Sequence, residues 1–133
     1  MALDQTRANE LLTWMHGGAA PAVLTGGSKM SINTAVGNAT AAGTEVGTGG
    51  GYVAGTGGRI TLSWGAAAAG SQATNAVAQV TNYPRAETVT SVDIWEGGGS
   101  FRRMEYGSLA ASKSMAAGDT LSFASGAITS ALA

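Results

Sequence analysis

The sequence predicts an all-β fold, a β-sandwich with one short N-terminal α-helix; a jelly roll is one arrangement of that class. Three observations carry this expectation. Short segments alternate apolar and polar residues with a period of two. Glycine-rich turn signals separate them at sandwich-like spacing. A helical period occurs once, near the N-terminus. At 133 residues the chain has the length of one domain, residues 1–133.

The helix is expected over residues 4–16, within an N-terminal segment 1–18. Asp4 is placed to cap it, with Leu3 in the staple position. Ala8, Leu11, Leu12 and Met15 follow at helical spacing, and Gly17 and Gly18 stop it. His16 falls in the last turn, where an imidazole suits the helix dipole. The chain has no second histidine and no cysteine to give His16 a catalytic partner.

A short apolar run at 21–25 precedes the segment SKMSINTAV. There Met30, Ile32 and Val36 share one face, and Lys29, Ser31 and Asn33 the other, as in a half-buried strand. Asn38-Ala39-Thr40 matches a glycosylation sequon but lacks a secretory context. Residues 37–58 are dense in glycine. They fail the Walker pattern, and they lack the strand-then-helix setting of a dinucleotide fingerprint. A long surface arm is expected instead, mobile or pinned by a neighbouring subunit. Ile60, Leu62 and Trp64 then alternate as a strand, and Thr74 to Val80 forms another, ended by Asn82-Tyr83-Pro84.

The centre of the chain is TVTSVDIWE-GGG-SFRRMEY at 88–106, read as a hairpin with Gly97 to Gly99 as its loop. That register sets Val92 and Ile94 with Met104 on a core face. It sets Asp93 opposite Arg103, Ser91 opposite Glu105, and Trp95 opposite Phe101 on a polar face. Asp93 and Arg103 are expected as a surface ion pair, worth about 0–1 kcal/mol. Trp95 and Phe101 form an aromatic pair, either exposed as an interface patch or covered by the subunit's own helix or arm. Beyond the hairpin, 108–112 is short and small. Leu121 with Phe123, and Ile128 with Leu132, mark two closing strands.

Composition narrows the function. Net charge is −1 and 11% of residues are charged, which leaves no electrostatic footprint for nucleic acid or an anionic membrane. No apolar run reaches the length of a membrane span, and the N-terminus lacks the features of a signal peptide. Synthesis as a soluble cytoplasmic product is therefore expected. No cofactor or metal set is legible: carboxylates are scattered singly, and cysteine is absent. Asp93 and Glu105 on one hairpin face invite comparison with a glycosidase pair, but Arg103 between them would neutralise both. The reading is of a non-enzyme.

Twenty-one glycines beside many alanines leave little apolar area to bury. Either thin sheets pack closely, or neighbouring subunits supply burial. The second is preferred, which makes a homotrimer or other cyclic oligomer the expected state. Val46 and Tyr52 are the sizeable apolar side chains of the arm and its candidate anchors on a neighbour.

Three stretches carry a family resemblance: GTEVGTGGGYVAGT at 43–56, ITLSWGAAAAGSQATN at 60–75 and SLAASKSMAAGDTLSFASGAIT at 108–129. With the hairpin between them, they resemble small virion proteins of tailed bacteriophages, particularly those infecting actinobacteria. The resemblance implies a β-sandwich virion component and no enzyme. Its leading form is a capsid decoration protein on the outer surface of the head, with the major capsid protein as partner. The alternative is a tail-fibre or minor tail protein binding host-surface glycan. A third reading is a carbohydrate-binding module unrelated to virions, with Trp64 and Trp95 as stacking platforms.

Overall fold

A computed structural model describes residues 1–22, 25–55, 57–98 and 101–132. The chain begins with strand β1 (Ala2–Leu3) and helix α1 (Gln5–Met15). The strands that follow are β2 (Ser28–Ala35), β3 (Thr44–Glu45), β4 (Ile60–Leu62), β5 (Ser71–Ala73) and β6 (Ala78–Val80). Then come β7 (Glu87–Glu96), β8 (Arg103–Met115), β9 (Leu121–Phe123) and β10 (Thr129–Ala131). All the strand pairings are antiparallel. The main sheet has six strands in the order β1-β8-β7-β2-β3, with β4 also paired to β2. Opposite it stand two separate ribbons, β5–β10 and β6–β9, sharing one core cluster with the sheet. The fold is the expected all-β sandwich, but a lopsided one, without the two full sheets of a jelly roll.

Helix α1 ends as its sequence dictates. The Asp4 side chain accepts the Thr6 N–H at 2.9 Å. At the other end Gly17 takes φ +84°, Gly18 N–H donates to Thr13 and Gly17 N–H to Trp14. This paired pattern is a Schellman cap. No helix residue is buried. Ion pairs and backbone anchor the helix instead: Asp4–Arg103 at 2.7 Å, Glu10–Arg102 at 2.8 Å, and Gln5 N–H to the Ala39 carbonyl.

The central hairpin forms, but its register differs from the expected one. Trp95 pairs with Arg103, Ile94 with Glu105 and Asp93 with Tyr106. Between the first two pairs β8 carries one extra residue, Met104, a bulge that re-aims everything beyond it. A second irregularity falls between Val89 and Ser91, and β8 runs on to Met115 where a short segment was expected. Glu96 N–H closes on the Arg102 carbonyl and Phe101 adopts φ +49°. The expected pairing of Glu96 with Ser100, and the loop residue Gly99, lie outside the described residues, as do Val23 and Leu24 of the apolar run at 21–25.

Because β2 lies on the other side of β7, both are interior strands, covered on both faces. Met30, Ile32, Val92 and Ile94 enter the core as their alternation requires, joined by Val80, Tyr83, Val89 and Leu121. Yet Ser31, Asn33, Ser91 and Asp93 on the opposite face are also buried. Val36, expected on the core face, lies beyond the end of β2 and is exposed. Of the expected strand at 74–80 only β6 forms: Thr74 makes an isolated bridge to Trp64, and the chain bends before Ala78. Leu132 is exposed while Ile128 is buried.

The glycine-rich arm is not a free appendage. Gly51 N–H donates to the Asn82 carbonyl, and a Cβ at Gly51 would stand 1.9 Å from the Thr81 carbonyl oxygen. Glycine is what lets this backbone lie directly on the 81–84 turn. Val46 and Tyr52 are thereby carried into the chain's own core, each 1% exposed. Ordering comes from backbone contact plus two inward side chains, so these residues are not available as anchors on a neighbour.

Candidate functional site

The densest polar cluster gathers where β2 meets two short partners. β3 covers Asn33 and Ala35, β4 covers Ser28 to Met30, and a gap separates them at Ile32. The Ile32 carbonyl accepts the Val46 N–H, so its own N–H points into the same gap. Tyr52 Oη accepts that N–H at 3.4 Å and donates to Glu45 Oε1 at 2.6 Å. Glu45 also accepts Arg59 Nε at 3.0 Å, Arg59 Nη2 at 2.8 Å and the Gly55 N–H at 3.2 Å. Burial pushes the Glu45 carboxyl up, but the hydrogen bonds from Arg59 and Tyr52 outweigh it and hold it below its usual value. Burial first, then the hydrogen bond to Glu45, push the Tyr52 phenol up. The Gly-Thr-Glu-Val and Gly-Tyr pieces of the sequence motif therefore seal a sheet edge. Arg59, which completes the set, stands outside those pieces, and its charge beside a glycine run was the available signal.

Arg59 also stacks on Trp95, its guanidinium 3.9 Å from the ring centre, while Trp95 Nε1 donates to Ser31 Oγ at 2.9 Å. Trp95 is half-buried and has its polar and π contacts within the subunit. Phe101 is half-buried as well, and β8 offers Arg103, not Phe101, opposite Trp95. The expected Asp93–Arg103 surface pair does not form. Arg103 is buried, paired to Asp4, and donates to the carbonyls of Ala41 and Asn38 at 2.5 Å each. Asp93 Oδ2 accepts the Gly43 N–H at 2.9 Å. Burial pushes the Asp93 carboxyl up despite that bond and the nearby arginines. Its Oδ1, the Ser91 hydroxyl and both polar atoms of the Asn33 amide are buried without a well-formed hydrogen bond. The bulge also places Asp93 and Glu105 on opposite faces of the sheet, which removes the geometry of a two-carboxylate pair.

Of the grooves that flank α1, two reach the sandwich. One, of about 220 Å³, is lined by Asp4, Arg7, Glu10, Arg102 and Arg103, whose charges are already paired with one another. It is a clamp between helix and hairpin. The other, of about 270 Å³, opens between α1 and the β5–β10 ribbon. Trp64 and Leu11 stand on its walls, with Gln72, Glu105 and Ser130 beside them. The Ser130 hydroxyl donates to Glu105 Oε1 and Gln72 Nε2 donates to the Gly65 carbonyl. Burial pushes the Glu105 carboxyl up, with Ser130 and the N-terminal ammonium opposing it. No helix among the described residues is long and apolar enough to cross a membrane. His16 is exposed at the helix C-cap.

Sandwich, bulged hairpin and internally paired charges together make a β-rich domain, which accords with the β-sandwich that the resemblance implies. The family is more specific than the class. The model described as Podophage GP4 fiber I protein gp80 matches residues 2–131, and the chain belongs to that family of bacteriophage virion proteins. No curated protein matches it.

Proposed function

We propose that the chain is a structural, non-catalytic subunit of a virion fibre, borne on the tail side of the particle. One observation carries this reading: the match to a family described as a podophage fibre protein, spanning the helix and every strand of the sandwich. The description favours the fibre over the head decoration role that the sequence put first. Internal pairing of the charged residues around Glu45 and Arg103 is consistent with a scaffold and offers no reacting constellation.

On this reading the neighbours are further copies of the chain and other fibre components, in a cyclic or comparable assembly. Contact with the major capsid protein belongs to the head alternative. Nucleic acid and membrane are not partners. A cryo-EM reconstruction of the source particle tests both location and assembly. Density for this sandwich on tail-attached fibres, with copies in mutual contact, is expected. Density spread over the capsid lattice would overturn the fibre role in favour of decoration.

A further inference from the structure

We propose that the groove between α1 and the β5–β10 ribbon is a saccharide-binding site, sized for one neutral sugar ring that stacks on Trp64. Its occurrence on a host surface would follow from the fibre role, whereas the chemistry of the groove does not depend on that role.

The two candidate aromatic platforms differ in what they have left to offer. Trp95 has its face covered by Arg59 and its Nε1–H given to Ser31. Trp64 is half-buried, carries neither kind of contact among the described residues, and lines the groove of about 270 Å³. Around it stand polar groups with unused capacity. Glu105 Oε1 accepts from Ser130, and its Oε2 keeps no protein partner among the described residues. Gln72 uses its amide nitrogen on Gly65, which leaves Oε1 as an acceptor. Arg7 commits Nη1 to Glu10 and retains further donors.

An apolar wall facing a few convergent polar groups is the usual make-up of a small-molecule site. The occupant can be narrowed by exclusion. A wholly apolar guest would shut a carboxylate away from water without a partner, which is costly. An anionic guest would meet Glu105, and a cationic one would meet Arg7. A neutral polyol ring fits all of them: its C–H face lies on the indole, and its hydroxyls donate to Glu105 and Gln72 and accept from Arg7.

The test is a titration of the ¹⁵N-labelled chain with glucose, galactose, mannose, rhamnose and N-acetylglucosamine, each followed through the tryptophan indole resonances. Choline serves as a cationic probe. At least one sugar is expected to shift the Trp64 indole saturably at millimolar concentration while the Trp95 indole stays fixed. Followed through the backbone amides that shift with the Trp64 indole in the parent, Trp64→Leu, which keeps apolar bulk and removes the π face, and Gln72→Ala, which leaves the core untouched, should each weaken binding on the order of tenfold. If no sugar moves the Trp64 indole, if choline alone does, or if both variants bind like the parent, the proposal is wrong. Such a failure would leave the fibre role standing, because the position of the subunit on the particle is read separately.

Discussion

At the scale of single residues, the polar face of the β2–β7 pair is the least expected feature. Ser91 is fully buried, and its hydroxyl has no hydrogen-bond partner among the described residues. A buried hydroxyl without a partner costs roughly 1–3 kcal/mol relative to one left in water. Ser91→Ala removes the stranded group and leaves the backbone ladder to Asn33 and Ser108 intact. Stability measured by urea unfolding should therefore rise, by about 1 kcal/mol. A clear loss would show instead that Ser91 holds a bound water shared with Asn33 and Asp93. The Glu45–Arg59 pair behaves oppositely. Both oxygens of Glu45 are engaged, so removing Glu45 strands the buried Arg59 charge, and removing Arg59 leaves a partly buried carboxylate without its ion-pair partner.

Among elements, the glycine-rich arm is explained by close backbone approach. At Gly51 a methyl group would collide with the Thr81 carbonyl, a rigid backbone atom. At Gly57 nothing lies within 4 Å of the same added atom. Gly51→Ala should accordingly destabilise the fold by about 2 kcal/mol through forced displacement of the 81–84 turn and loss of Tyr52 seating. Gly57→Ala should be neutral or slightly stabilising, by about 0.5 kcal/mol, since it only restricts the unfolded chain. Equal midpoints of thermal unfolding for the two variants would contradict this account of the arm. The hairpin gives a related lesson. Gly97 N–H bonds to the Gly27 carbonyl, so the end of β7 is held by a second glycine pair as well as by its own turn.

For the whole molecule, the carboxylates pull stability in opposite directions with pH. Asp93 and Glu105 have folded-state pKa values above their unfolded ones, because burial disfavours the charge. Their contribution is full below about pH 4, the unfolded value, and is lost as pH climbs through the raised folded values. Glu45 is held below its unfolded value by Arg59 and Tyr52, and Glu96 is held down first by the Thr25 N–H and then by Arg102. Their contribution is present above about pH 4 and disappears as pH falls through the lowered values. Thermal stability should therefore peak in mild acid, around pH 5, and decline toward both neutral and strongly acidic conditions. Asp93→Asn keeps an acceptor for the Gly43 N–H and removes the titration. Relative to the parent, this variant should gain stability as pH rises above about 4, the unfolded value, until Asp93 is ionised in the folded state. A difference that does not change with pH would mean Asp93 does not titrate as its burial requires.

The sequence by itself determined the class of fold, the capped N-terminal helix, the core faces of β2 and β7, and a family signature sufficient to indicate a virion protein. These are local properties: period, capping chemistry and turn residues act within a few positions of one another. The tertiary structure alone decided three other matters. Met104 bulges out of the β8 ladder, which separates Asp93 from Arg103 and puts Glu105 in the Trp64 groove. β7 became an interior strand covered on both faces, which buried a polar row that alternation assigned to solvent. The arm folded back on its own subunit, which withdrew Val46 and Tyr52 from any neighbour. The reason is common to all three. A one-residue slip, a covering segment or a glycine contact pairs residues far apart in the chain, and no local pattern encodes which distant backbone will arrive.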